Sequence, residues 1–185
     1  MRKVIAAINM TIDGICDHTV GIPDEELHLH YAKLLENAGD LLYGRTTYLL
    51  MQFWQNLVVN PSGQKSMDDF ALAMDKVPKT VFSNTLKHTG WNSAKLATND
   101  LKKEVLALKQ QSHTSKEIFV GSRSLIIQLF NLNLIDEFQI CIHPMIVGKG
   151  PQLFDQLKGQ TVFKLLKTKT FDSGSIVLYY QPIKK

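Results

Sequence analysis

Cysteine is scarce. Cys16 and Cys141 are the only two in 185 residues, stand far apart and belong to segments of different character. That excludes a disulfide framework and suits a reducing cytosol, the expected location. No apolar run near the start approaches the length of a membrane span. Val4 to Ile8 is followed closely by Thr11 and Asp13, so neither an anchor nor an export signal is expected. Low-complexity tracts are missing too, and proline and glycine are spread along the chain rather than gathered into a linker. With 44% apolar residues the chain can bury one sizeable core and is too short for two comfortable ones, which predicts a single domain over residues 1–185.

The charge balance excludes less. Lys and Arg number 21 against 17 Asp and Glu, a net charge of +4. The basic residues are scattered apart from Lys184-Lys185, and no aromatic–basic interleaving offers a stacking platform, so no nucleic-acid partner is expected. The excess still favours an anionic small molecule. The histidines His18, His28, His30, His88, His113 and His143 include no helical pair three or four apart, so no metal site is expected. Serine-hydrolase chemistry lacks its G-x-S-x-G elbow.

What is present is an alternation of strand and helix signals. Val4 to Ile8 suits a strand buried on both faces. After a polar stretch from Asn9 to Gly21, Pro23-Asp24-Glu25-Glu26 opens a helix with Leu27, Tyr31, Leu34 and Ala38 on one face. Asp40 to Tyr43 is a second strand, and Gly44-Arg45-Thr46-Thr47-Tyr48 turns into a helix through Leu49, Phe53 and Leu57. A weaker helix with Phe70, Met74 and Val77 stops at Pro78, and Lys79 to Ser83 is the next strand. Ala94 to Ala97 is a short strand, and Asn99 or Asp100 caps a helix with Leu101, Val105 and Leu108. Glu117 to Val120 then runs through Gly121-Ser122-Arg123-Ser124 into a helix from Leu125 to Leu132. From Phe138 the pattern is strand-only, with Asp172-Ser173-Gly174 turning the last pair into a hairpin. This order predicts an α/β fold, a mostly parallel central sheet ending in antiparallel strands between layers of helices.

Two strand–glycine–helix turns stand out. Such a turn points backbone N–H groups and the positive end of a helix into the cleft at the carboxyl edge of the sheet, where an anion is favoured. Gly44-Arg45-Thr46-Thr47 adds a guanidinium and two hydroxyls, and Gly121-Ser122-Arg123-Ser124 is a second turn of the same kind. Two in one small domain fit a dinucleotide. Trp54 either lines a substrate pocket or packs in the core, and Lys149 between Gly148 and Gly150 is a basic loop position that either meets a substrate or is solvated.

At this level the chain resembles the dihydrofolate reductase-like family. Leu42 to Tyr48 is similar to its GR-x-T-[YFW] element, Val81-Phe82-Ser83-Asn84-Thr85 to its next strand end, and Ile118 to Leu125 to its glycine-rich turn. Met10-Thr11-Ile12-Asp13-Gly14, Leu134-Ile135-Asp136-Glu137 and Pro144 to Gly150 resemble the S-x-DG, L-I-D-E and P-x-x-x-G-x-G elements of the branch shared with the reductase domain of riboflavin biosynthesis. The resemblance implies a three-layer α/β/α domain and NADPH-dependent reduction of a pterin, pyrimidine or ribitylamino-type heterocycle by hydride transfer, with a non-catalytic ligand-binding protein on the same fold as the alternative. It implies a cofactor cleft of Gly44, Arg45, Thr46, Thr47, Ser83, Asn84, Gly121, Ser122, Arg123, Ser124 and Leu125, and a homodimer. Ser122 stands where family members usually carry a glycine, and its Cβ would restrict backbone approach to a pyrophosphate. Asn9, Trp54, Gly148, Lys149 and Gly150 are the substrate-side candidates. Folate-reducing members place a carboxylate early in the first helix, which makes Glu26 a catalytic candidate, or else an exposed helix pair with His30. Asp13 is the other candidate, or else the cap of a turn beside Gly14.

Overall fold

The computed structural model describes residues 1–111, 114–157 and 159–183. In chain order the elements are β1 (Val4–Thr11), α1 (Glu25–Glu36), β2 (Ala38–Gly44), α2 (Arg45–Val59), α3 (Lys65–Lys76), β3 (Lys79–Phe82) and β4 (Ala94–Leu96). They continue with α4 (Leu101–Gln110), β5 (Glu117–Val120), α5 (Arg123–Asn131), β6 (Glu137–His143), β7 (Phe163–Thr170) and β8 (Ile176–Pro182). One sheet of eight strands runs in the order β4-β3-β2-β5-β1-β6-β8-β7. The first six in that order are parallel, and β8 and β7 are antiparallel to their neighbours. This is the expected three-layer α/β fold.

Burial explains the layering. Residues of β1 and β2 alternate between two apolar cores, so both faces must be covered by helices. On one face Leu41, Tyr43, Val81 and Phe119 meet Leu35 of α1, Tyr48 of α2 and Phe70 and Met74 of α3. On the other, Val4, Ile8, Leu42, Ile118 and Val120 meet Val105 and Leu108 of α4 and Ile126 and Leu129 of α5. β7 is mostly exposed and carries Lys164, Lys167 and Lys169, charges that discourage further strand pairing at an open edge. Ala38 departs from the helical pattern read in the sequence. α1 ends at Glu36, and Ala38 opens β2, because the carbonyl of Asn37 accepts the N–H of Glu117 on β5.

The two edges of the sheet are built differently. At the amino edge Arg2 is buried and donates to the Asp40 carboxylate at 2.7 Å and to the Lys116 carbonyl at 2.6 Å. Asp136 accepts from the N–H of Val4 and from Lys109. These ties clamp β1, β2 and β5 together. At the carboxyl edge, β2 sends its chain to one side of the sheet and its neighbour β5 sends its chain to the other, through helices on opposite faces. Such a switch point leaves a crevice outside the strand ends. Gly44 and Gly121 flank it.

Candidate active site

α2 and α5 start at this crevice without the side-chain caps that α1 and α4 receive. Asp24 caps α1 by accepting the N–H of Leu27, and Asp100 caps α4 by accepting that of Lys103. Gly44 and Ser122, the N-cap residues of α2 and α5, make no side-chain cap, and neither first turn contains an acid. Each helix instead begins with an arginine, Arg45 or Arg123. Two helix dipoles with uncapped first turns therefore converge on one crevice, which is an environment for anions.

The turns are joined to each other. The Ser122 hydroxyl accepts the Gly44 N–H at 2.9 Å, and Ser122 is 1% exposed. Its backbone is extended, with φ −96°, so the conformation does not demand glycine, and its side chain points at the neighbouring turn. Arg45 is exposed and donates to the Thr85 hydroxyl at 3.1 Å. Ser83 folds the loop beneath that contact by accepting the N–H groups of Thr85 and Leu86, while Asn84 and Thr46 are exposed at the rim. Thr47 is buried and Ser124 is exposed beside Gly44. Leu125 is a core residue. Arg123 is engaged, donating to the Gln152 carbonyl and the Asp155 carboxylate. The residues present therefore fit a phosphate-bearing dinucleotide, with Arg45 the more available guanidinium.

Beside the crevice, between the sheet and α1, α2 and α3, lies a cavity of about 220 Å³. Its wall includes Ala7 and Asn9 of β1, Leu27, His28 and Tyr31 of α1, and Thr47, Met51 and Trp54 of α2, with Phe70, Phe119, Gly121 and His143 closing it. Asn9 accepts the Tyr31 hydroxyl at 2.6 Å. His28 packs edge-on against Trp54, ring centres 5.8 Å apart. Burial lowers the His18, His28 and His143 imidazoles below the ordinary histidine range, and His18 also meets the Gly121 carbonyl. A larger concavity of about 920 Å³ lies at the amino edge, against Ala38, Asp40 and Lys116. It is open and far from both glycine turns.

The acids chosen from the sequence do not reach the cavity. The Asp13 carboxylate accepts from the Thr11 hydroxyl and from the N–H groups of Val147 and Gly148, and these bonds lower its pKa. Glu26 instead faces the turn of the last hairpin, accepting the N–H of Asp172, with Lys169 at 4.0 Å. Gly148, Lys149 and Gly150 likewise lie outside the cavity wall. They form the partner of the first loop: the Cys16 N–H donates to the Pro151 carbonyl, and a Cβ on Gly150 would stand 2.5 Å from Ile15. Asn9 and Trp54 do line the cavity. Sequence reasoning missed His28, Tyr31 and His143 as cavity residues, and only their histidine or tyrosine chemistry hinted at a role. Among the described residues no group of three or more His, Cys, Asp or Glu is arranged to hold a metal, and no helix is long and apolar enough to cross a membrane.

Comparison with known proteins agrees with this architecture. YyaP of Bacillus subtilis (strain 168), an uncharacterized protein, is 28% identical over 183 residues, covering 97% of this chain and 94% of YyaP. Acinetobacter baumannii RibD superposes with a TM-score of 0.71 at 14% identity, over 99% of this chain and 58% of that one. Dihydrofolate reductase from Enterococcus faecalis, solved with NADP(H), gives 0.61 at 12% identity over 98% and 97% of the two chains. At such identities the structural likeness is one of fold. Residues 2–177 match the RibD C-terminal domain, and the chain accordingly belongs to the RibD C-terminal domain family, a family of reductases.

Proposed function

We propose that the protein is an NADPH-dependent reductase that delivers a hydride to an electron-poor C=N or C=O of a small heterocycle of the pterin, pyrimidine or ribitylamino type. The observation that carries the reading is the meeting of two uncapped, acid-free helix starts, tied by the Gly44–Ser122 hydrogen bond, next to a largely apolar cavity. An anionic cofactor and a flat acceptor would then lie side by side, and alignment is most of what a protein adds to hydride transfer. That the Enterococcus faecalis enzyme was solved with NADP(H) supports the choice of cofactor.

In this reading the first-turn amides of α2 and α5 and the Ser124 hydroxyl hold the diphosphate, and Arg45 with Thr85 takes the phosphate that distinguishes NADPH from NADH. NADPH supplies the hydride. The chain supplies a dry wall around the acceptor: Leu27, Met51, Trp54 and Phe119 exclude water, and Asn9 and Thr47 offer polar contacts at the cavity edge. Asp13 serves by joining the first loop to residues 147 and 148. The same reading includes a cytosolic location and a homodimer through the β7–β8 end, where Val162, Leu165 and Leu166 are exposed.

NADPH consumption in the presence of pterins and aminopyrimidines tests the proposal. Turnover with at least one of them is expected. Absence of turnover combined with absence of any NADPH-induced rise in melting temperature would overturn it.

A further inference from the structure

The cavity contains a histidine with no structural employment. His143 ends β6, paired with Thr11 of β1, and is 2% exposed. Neither ring nitrogen has a hydrogen-bond partner among the described residues. The first loop lies over the ring, with a Cβ on Gly21 placed 3.4 Å from it. A buried polar group without a partner carries an unrepaid desolvation penalty. A ligand presenting a donor or acceptor edge to the ring would relieve that penalty.

The charges around the cavity limit the ligand further. Among the described residues no lysine or arginine lines it, and the one Asp or Glu in its wall, Asp17, accepts from the N–H and hydroxyl of Thr19. Past His28 and Trp54 the cavity continues into an outer groove bearing Asp24 and Glu25. The lysine of that groove, Lys65, is paired with Asp69 at 2.5 Å. A phosphate ester placed in either part would lose water without gaining a free cation and would face carboxylates. The small volume also suits one or two fused rings rather than a larger assembly.

We propose that the cavity takes an uncharged, phosphate-free flat heterocycle whose polar edge is hydrogen-bonded by His143. The proposal deepens the reductase reading and rests on it for the chemistry, while the binding stands on the cavity alone. In the reduction the ring carbon of C=N or C=O takes a hydride with its two electrons from the dihydronicotinamide, which leaves oxidised. The nitrogen or oxygen takes one proton from solvent water reaching it through the open, outer-groove side of the cavity, and the double bond becomes single. His143 hydrogen-bonds that heteroatom and so positions the carbon.

Calorimetric titration of the full chain with neopterin and with neopterin monophosphate, each with and without NADP⁺, tests this. Neopterin should bind at least about tenfold more tightly than the monophosphate, a difference of roughly 1.4 kcal/mol. Glu25→Lys should improve the monophosphate at least about threefold and leave neopterin unchanged, as expected for a rim charge. His143→Leu should weaken neopterin about tenfold without lowering the melting temperature, because it removes an unpaired polar group from the core, and His143→Asn should restore part of the affinity. A purely structural histidine would lower the melting temperature on replacement by leucine and leave neopterin binding as it was. Equal or tighter monophosphate binding, binding of neither ligand, or wild-type neopterin affinity in His143→Leu would overturn the proposal. Failure of the reductase reading looks different: neopterin binds and NADPH is not consumed.

Discussion

Two neighbouring parts of one sheet edge receive opposite electrostatic treatment. The crevice between Gly44 and Gly121 gathers two helix starts, no acid in either first turn and an exposed Arg45. The cavity beside it has, among the described residues, neither lysine nor arginine in its wall and three histidines whose pKa values are lowered by burial. In the proposed reading one half takes a charged dinucleotide and the other an uncharged ring. The difference teaches that a cofactor half and an acceptor half can be told apart by where the fold omits charge as much as by where it supplies it.

The comparison is broken most directly at Arg45. Arg45→Ala removes a charge-assisted contact of about 1.5–3 kcal/mol, so NADPH affinity should fall roughly ten- to hundredfold while NADH affinity changes little, as read by quenching of cofactor fluorescence. Ser124→Glu sharpens the contrast from the opposite direction. A carboxylate in the first turn of α5 complements the macrodipole by about 0.3–1 kcal/mol and repels the diphosphate. The variant should melt slightly higher and bind NADPH about fivefold more weakly.

Acid should weaken the fold through the partly buried imidazoles rather than through the crevice. His30, packed between Tyr31 and Phe171, is pushed down to about 4 by burial, with Lys169, Lys167 and Lys33 adding repulsion. Below the ordinary histidine value of about 6.5 the unfolded chain takes up protons that the folded chain refuses. Stability should therefore be flat with respect to His30 above that value and decline as pH falls towards 4. His18, His28 and His143 shift in the same direction. A melting temperature that rises on acidification through this window would contradict the assignment. The smallest effect on the site is expected from Asp13→Asn, which should lower the melting temperature through the loosened Val147 and Gly148 contacts yet leave NADPH affinity within about twofold.

Much of the scaffold was legible in the sequence because it rests on local patterns. Val4 to Ile8 is uniformly apolar because β1 is covered on both faces, and Asp100 stands three residues before the N–H that it caps. The glycine turns were legible for the same reason, since a strand end, a glycine and a helix start are adjacent in the chain. His143 was not. Its burial depends on β6 pairing with β1, which sets it beside Thr11, and on the first loop closing over it at Gly21. Asp13 and Glu26 attracted attention as acids near the expected cleft, but their partners, Gly148 and Asp172, come from distant segments that turn the carboxylates elsewhere. Ser122 was legible as a departure and not as a solution. Its hydroxyl faces Gly44 N–H only because β2 and β5 are sheet neighbours.

The central claim is that the Gly44–Gly121 crevice holds NADPH, and calorimetric titration of the unaltered protein with NADPH and NADH measures it most directly. Saturable binding of one cofactor per chain is expected, with NADPH at least about tenfold tighter than NADH. Equal affinities, or no heat from NADPH at millimolar concentration, would contradict it.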